Sequence, residues 1–322
     1  MTNNFRAKDI VLQPLERLAI QTLLGIRFWD RVQRQPVSEG LRVTAQRLSA
    51  DRSQRLGRLV SGRPTPSGVI AFFGLAPEER VADDPAQQIW ATVPAERLVA
   101  IDLTDRLDRF LPLSFVARLP LRGPFTGIGD WLTTPLLRPL PAEPGELFGV
   151  DLWSAATRPA PADRAVIRAR LVSGDSATPP PAAFALVAVN QVLAGPPPEA
   201  PYHHFGLADA NGSLLLPLPY PPVPEPDDGD YPSLEQQVFN LEITVHYGPT
   251  TTLPGSAVPN LETILNQPAV AIGSHWDSSD PPVLQTGPTL TASLQFGRPL
   301  ILRTALGSPE AEEKEAVLRI QP

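Results

Sequence analysis

Four histidines, one acidic cluster, one Gly-Asp-Ser triplet and five tryptophans are the residues of this chain whose types and spacing bear on chemistry. The adjacent pair His203-His204 precedes Phe205-Gly206, and on a strand its rings point to opposite faces, a poor start for one metal site. His246 falls on the outward side of an alternating stretch, and His275 stands in Gly273-Ser274-His275-Trp276-Asp277. Surface or hydrogen-bonded histidines are the favoured reading, with a composite metal site as the alternative. Asp227-Asp228-Gly229-Asp230 offers oxygen ligands of the kind calcium takes, but it lacks the loop spacing and the closing Glu, so a solvated turn is favoured. Gly174-Asp175-Ser176 has the order found around a serine-hydrolase nucleophile, which would need a His base and an oxyanion hole. It lacks the following glycines and sits between a strand and a proline run, which favours a plain turn.

Other chemistries find no foothold. There is no nucleophile elbow, no phosphate-binding Gly-rich loop ending in Lys, no dinucleotide fingerprint and no paired-His zinc motif. Lys8 and Lys314 are the only lysines, and with no cysteine there is no thiolate catalysis, disulfide or thiolate metal site. No catalytic, cofactor or metal residues are therefore assigned, and the chain is expected not to be an enzyme. A net charge of -7 disfavours nucleic acid and anionic lipid as partners. No signal peptide and no apolar run of bilayer-spanning length is read, so cytoplasmic synthesis is the expectation.

The tryptophans are the better candidates for contact. Trp29 belongs to an alternating strand and is expected in a core or at a domain edge, whereas Trp131, Trp153 and Trp276, with Phe148, fall in segments that read as irregular. These four are the candidate partner contacts, with a partner protein favoured over stacking on a sugar.

The elements that would carry them read as β. Forty of 322 residues are Pro, each fixing φ and removing a backbone donor, which leaves little room for helix. Strand alternation is clearest from Val238 to Tyr247 and recurs at 290–296 and 41–46. Short strands are also expected at 23–29, 69–73, 98–102, 110–118, 165–172, 184–190, 213–218, 300–304 and 316–320, with a short helix near 260–267. This spells an all-β chain of sandwich or barrel type, with little helix, and its length permits two β-rich domains. The expected division is an arm at 1–17, a first sandwich at 18–121, a proline-rich apolar linker at 122–161 and a second sandwich at 162–322. The halves read as distant repeats, each with a strand, a proline-bearing turn, a strand, and then a Gly turn entering another strand.

From Ile26-Arg27-Phe28-Trp29-Asp30 through Gln35-Pro36-Val37 to Leu41-Arg42-Val43, and again at Gly68-Val69-Ile70-Ala71-Phe72-Phe73, the chain resembles carboxypeptidase-regulatory-like and transthyretin-like modules, which implies two immunoglobulin-like or transthyretin-like β-sandwich domains joined by proline-rich irregular segments. Gln35 stands where those modules place the turn Gly, and the Asp-x-x-Gly before the third strand occurs only in the second half, at Asp209 to Gly212. With Arg109-Phe110-Leu111-Pro112, Leu119-Pro120-Leu121-Arg122-Gly123 and Phe296-Gly297-Arg298-Pro299-Leu300, the whole also resembles the proline-rich all-β accessory proteins of extracellular contractile injection systems, which are phage-tail-like particles. That resemblance implies a non-enzymatic subunit of a symmetric particle, at its cap, baseplate or sheath, with other particle subunits as partners. A glycan- or surface-protein-binding adhesion module is the second reading, and a hydrolase using Ser176 or a His-Asp metal site the third.

Overall fold

A computed structural model describes residues 19–20, 24–75, 80–81, 97–119, 149–191, 203–222, 233–279, 281–306 and 314–322. In the first half the strands run β1 (Ala19–Ile20), β2 (Gly25–Asp30), β3 (Gln35–Pro36), β4 (Leu41–Leu48), β5 (Arg55–Ser61), β6 (Arg63–Pro64), β7 (Val69–Ala71), β8 (Arg80–Val81), β9 (Arg97–Asp105), β10 (Leu113–Leu119) and β11 (Val150–Leu152). One sheet has the order β10-β9-β4-β5, a second the order β11-β2-β7-β6 with β3 on β2, and β1 pairs β8. Alternation puts Val43, Ala45, Ile101, Leu103 and Phe115 of the first sheet in one core with Ile26, Phe28 and Ile70 of the second. Each large apolar side chain fully buried there contributes roughly 1.5–3 kcal/mol.

The second half continues with β12 (Ala165–Ser173), β13 (Leu186–Gln191), β14 (His203–Leu207), β15 (Ser213–Leu218), β16 (Val238–His246), β17 (Ala269–Trp276), β18 (Leu284–Gly287), β19 (Leu290–Gln295), β20 (Leu300–Leu302) and β21 (Leu318–Gln321). Here the two layers are not separate sheets. They hydrogen-bond into one ten-stranded sheet, β14-β13-β16-β17-β21-β12-β15, because β21 pairs with β12 on one side and β17 on the other. Its end strands β14 and β15 lie against each other, so the sheet wraps around its own core of Ile167, Leu171, Val187, Leu216, Leu241 and Ile243. The chain is all-β, with one α-helix among the described residues, α1 (Leu261–Leu265), capped by Asn260, whose side chain accepts from Glu262 N at 3.2 Å. A 3-10 turn spans Leu234–Gln236.

The two halves repeat one topology. In each, a central strand (β2, β12) pairs antiparallel with a later strand (β7, β15) and parallel with one from much further along the chain (β11; β20 and β21). The proline after the first turn folds back onto that central strand in both, Pro36 opposite Trp29 and Pro181 opposite Val172. β4 and β13 likewise each sit between a hairpin partner (β5, β14) and a later strand (β9, β16). Prolines inside strands lie in β3, β6 and β15, where β6 and β15 end their sheets, positions that need no inward N–H.

Turns are organised by carboxylates. Asp30 accepts from Val32 N at 2.9 Å, Asp105 from Arg109 N at 2.8 Å, and Asp209 from Asn211 N and Ser213 N, both at 2.8 Å. In the turn after β2 the left-handed residue is Arg34, at φ 52°, one place before Gln35.

The expected linker needs correction at its far end. Val150–Leu152 pairs with β2, register Val150 to Phe28, and Trp153 enters the first core, so this stretch belongs to the first sandwich. Residues 122–148, the arm at 1–17 and the acidic cluster lie outside the described residues. The halves also share packing. Leu186 on β13, Leu207 on β14 and Leu261, Ile264 and Leu265 of α1 belong to the first half's apolar cluster. Ser114 of β10 donates its backbone N–H to Pro259 O at 3.0 Å, and Leu253 packs with Leu48, Ala100 and Val116 on the outer side of the first sheet.

Candidate functional site

The residues with the greatest chemical potential meet where the halves join. Asp30 ends β2, and Arg158 lies just past β11. Arg158 donates from Nη2 to Asp30 Oδ2 at 2.6 Å and from Nη1 to Asp30 Oδ1 at 3.2 Å and Ser154 Oγ at 3.1 Å. Its guanidinium lies 4.9 Å from the Phe110 ring centre. Both side chains are buried, 3% exposed for Asp30 and 8% for Arg158, so neither charge is satisfied by water.

One residue on, Arg31 points to the other face. The parallel register sets Asp151 beside Trp29, so Arg31 and Trp153, each two residues further on, extend the same side of the β2–β11 pair. Arg31 sits 5.1 Å from the Trp153 ring and 5.3 Å from the Phe205 ring of β14, a cation held between aromatic groups of the two halves. Burial lowers the Arg31 pKa, partly offset by Asp151. Burial likewise raises Asp151, partly offset by Arg31. Nearby His204 is pushed down to about 4, first by burial and then by Arg31, Arg34, His203 and Arg164. At neutral pH this histidine is uncharged.

A perturbed carboxyl and a perturbed imidazole at a junction are what an acid-base site would display. Among the described residues, the hydroxyl at the Asp30–Arg158 pair is that of Ser154, which accepts from Arg158. The Arg31–Phe205 contact clasps the two halves together, while the Asp30–Arg158 pair braces the end of β2 against the segment that follows β11. A second clasp lies on the first sheet, where Asp102 accepts from Arg55 through both oxygens and from Ser256 Oγ at 2.8 Å, while Arg55 Nε donates to Pro254 O. Beside it is a cleft of about 500 Å³ lined by Arg52, Pro254, Asn260, Glu262 and Thr263. Its charges are joined by the Arg52–Glu262 ion pair at 3.0 Å, and Asn260 is occupied in capping α1.

The residues singled out by sequence are dispersed. Trp153 is 6% exposed and packs in the first core, so it presents no face to a partner; Val150 and Leu152 pull it in by pairing with β2. Trp276 ends β17 instead of lying in an irregular segment. It is half-buried, donates from Nε1 to Glu315 Oε1 at 3.0 Å, and has the Arg319 guanidinium 5.2 Å from its ring. Trp131 and Phe148 lie outside the described residues. Ser176 offers its backbone carbonyl to Arg319 Nη1 at 3.0 Å, in a turn where Gly174 has φ +91°. His203 and His204 do lie on a strand, with His203 bonded to Asn190 Oδ1; His246 meets Gln267 O at 3.3 Å; His275 meets Ser274 Oγ at 2.9 Å. Among the described residues no three His, Asp or Glu side chains gather as a metal set, and no helix is long and apolar enough to cross a membrane.

Sequence patterns do not single out Arg31, Asp151 and Arg158. The signals present are the alternation Arg27-x-Trp29-x-Arg31, with Arg27 5.6 Å from the Trp29 ring, and the short apolar repeat Val150-Asp151-Leu152-Trp153 after Gly149.

No family model and no curated protein matches the chain. Among solved structures, the chain is aligned with GBS52, the minor pilin of the gram-positive pathogen Streptococcus agalactiae, over 95% of this chain and 94% of that one, at 8% identity and a TM-score of 0.19. A likeness that slight carries no argument about fold or function.

Proposed function

We propose that the chain is a non-enzymatic structural subunit of a larger protein assembly, of the phage-tail-like contractile injection class that its sequence resembles. The observation that supports this reading is the edge strand β5. It closes one end of its sheet, its residues 56–59 are exposed, and it carries Leu56 at 40% and Leu59 at 51% exposure. An edge strand with apolar side chains facing water is a template for a neighbour. Three residues, Gly57, Arg58 and Leu59, bulge opposite the single residue Gln46, which donates to Gly57 O at 2.9 Å, so only a partner shaped to that bulge extends the sheet. The ion pairs and capped turns suit a rigid part better than a catalyst.

The test is co-sedimentation of the full chain with sheath and tube proteins. The wild-type chain is expected in the particle fraction, and a Leu56→Asp, Leu59→Asp variant with an unchanged melting profile is expected to stay in the supernatant. Recovery of the wild-type chain only as a free species beside intact particles refutes the proposal.

A further inference from the structure

The outward face of the second half carries a basic patch. On β12, Ala165, Ile167, Ala169 and Leu171 point into the core, while Arg168 and Arg170 between them are exposed. Parallel β20 sets Leu300 beside Ile167, Ile301 beside Arg168 and Leu302 beside Ala169. Leu302 is buried and Ile301 is 47% exposed, so Ile301 shares the arginine face. Arg303, also exposed, follows Leu302 as Arg170 follows Ala169. Three arginines therefore share this face with one exposed isoleucine.

Arg52, Arg55, Arg109, Arg158, Arg164 and Arg319 all have carboxylate partners, but Arg168, Arg170 and Arg303 have none among the described residues. Glu315 lies beside this patch, its backbone N–H donating to Thr304 O at 2.9 Å, but its carboxylate is taken by Arg319 at 2.8 Å and by Trp276 at 3.0 Å. Like charges on neighbouring strands, about 5 Å apart, repel one another. In a chain of net charge -7, three cations with no carboxylate partner among the described residues call for an anionic occupant.

We propose that this sheet face docks an acidic, extended segment of a partner protein. Side chains on one side of an extended segment repeat every ~6.6 Å, the same repeat that separates Arg168 from Arg170 on β12. Carboxylates at i and i+2 thus meet both arginines in register, with Arg303 flanking. Ile301 supplies an apolar floor that keeps water from the pairs and strengthens them. A nucleic acid is the weaker fit, since three cations release few counterions and the remainder of the chain repels a polyanion. The surface is separate from the β5 edge and does not depend on the assembly role proposed for it.

The experiment uses the full chain and a fluorescein-labelled peptide alternating Glu and Val, with a Gln-Val peptide as the neutral twin, read by fluorescence anisotropy at low salt. The Glu-Val peptide is expected to bind roughly tenfold more tightly than its twin, and an Arg168→Ala, Arg170→Ala, Arg303→Ala variant to lose about tenfold in affinity with its melting profile unchanged. Binding is expected to fade toward ~0.5 M salt. The Leu56→Asp, Leu59→Asp variant is expected to bind the peptide like wild type, which separates this result from the assembly test. No binding of the Glu-Val peptide, equal binding of the two peptides, or an unaffected triple variant overturns the proposal. So does tighter binding, lost in the triple variant, of a single-stranded oligonucleotide or of phosphatidylserine vesicles.

Discussion

Replacing Arg158 with Met tests whether the end of β2 is held to the segment after β11 by charge. The substitution keeps an unbranched side chain against Phe110 but removes three hydrogen bonds, two to Asp30 and one to Ser154. Asp30 keeps its backbone donors, Val32 N at 2.9 Å and Gln33 N at 3.3 Å, but loses its hydrogen-bonded guanidinium while remaining buried. Breaking a buried pair on one side costs about 3–5 kcal/mol, and the two remaining donors place the expectation near 3 kcal/mol. Urea unfolding followed by tryptophan fluorescence is the assay. With a slope of about 3 kcal/mol/M for a chain of this size, the midpoint falls by about 1 M. Asp30→Asn in the same background keeps an acceptor for the turn and removes the stranded charge, so the double variant is expected to regain about half of the loss. A loss below about 1 kcal/mol for Arg158→Met, or strictly additive single and double effects, refutes the claim that this pair is an electrostatic lock.

Other perturbations separate the remaining devices. His204 has a folded pKa of about 4, below the unfolded ~6.5, so the unfolded chain takes up the proton first and stability falls as pH drops from about 6.5 to about 4, by up to ~3 kcal/mol. Asp151, raised in the fold, has the opposite sign and loses its contribution as pH rises through its own range. Melting temperature against pH is expected to flatten over that acid window in His204→Gln. Gly212→Ala puts a methyl group into Leu171 O at φ +74°, whereas Gly57→Ala at φ +69° meets nothing. Calorimetry is expected to show a loss of several kcal/mol for the first and about 1 kcal/mol for the second. Asp102→Ala frees Arg55 and Ser256 together, and a loss of about 2 kcal/mol with faster proteolysis in the 250–258 loop is expected; unchanged cleavage contradicts a locking role.

Where burial follows a period of two, the fold is legible in the amino-acid sequence. β16 alternates Phe239, Leu241, Ile243 and Val245 inward against Asn240 and Glu242, and it lies where the pattern places it. The strands that the pattern misses break that period for physical reasons. β5 carries a positive-φ glycine and a bulge, β17 shifts register between Gly273 and His275, and β11 is three residues long, with its partner β2 about 120 residues earlier. The repeat of the halves is legible because each Pro and Gly turn lies at the same step of the path. The junction is not. Arg31, Asp151 and Phe205 come from three distant segments, and a parallel pairing across that separation leaves no local spacing to read. Trp153 reads as exposed for the same reason, since its three-residue strand gives it no visible context.

The first sandwich borrows its closing parts from late in the chain, and this sets a schedule for its birth on the ribosome. Its cluster is complete only when Leu261, Ile264 and Leu265 have been made, well after Leu119 ends β10. At synthesis rates of about 5–20 residues per second, that is an interval of roughly 7–30 s. Throughout it, the β10 edge lacks the Pro259 carbonyl that later caps Ser114, and the Ala100–Val116 surface lacks Leu253. The nascent half is therefore most vulnerable to wrong pairing before the second half arrives. Slowing translation between the two halves should harm the yield of folded protein, not improve it.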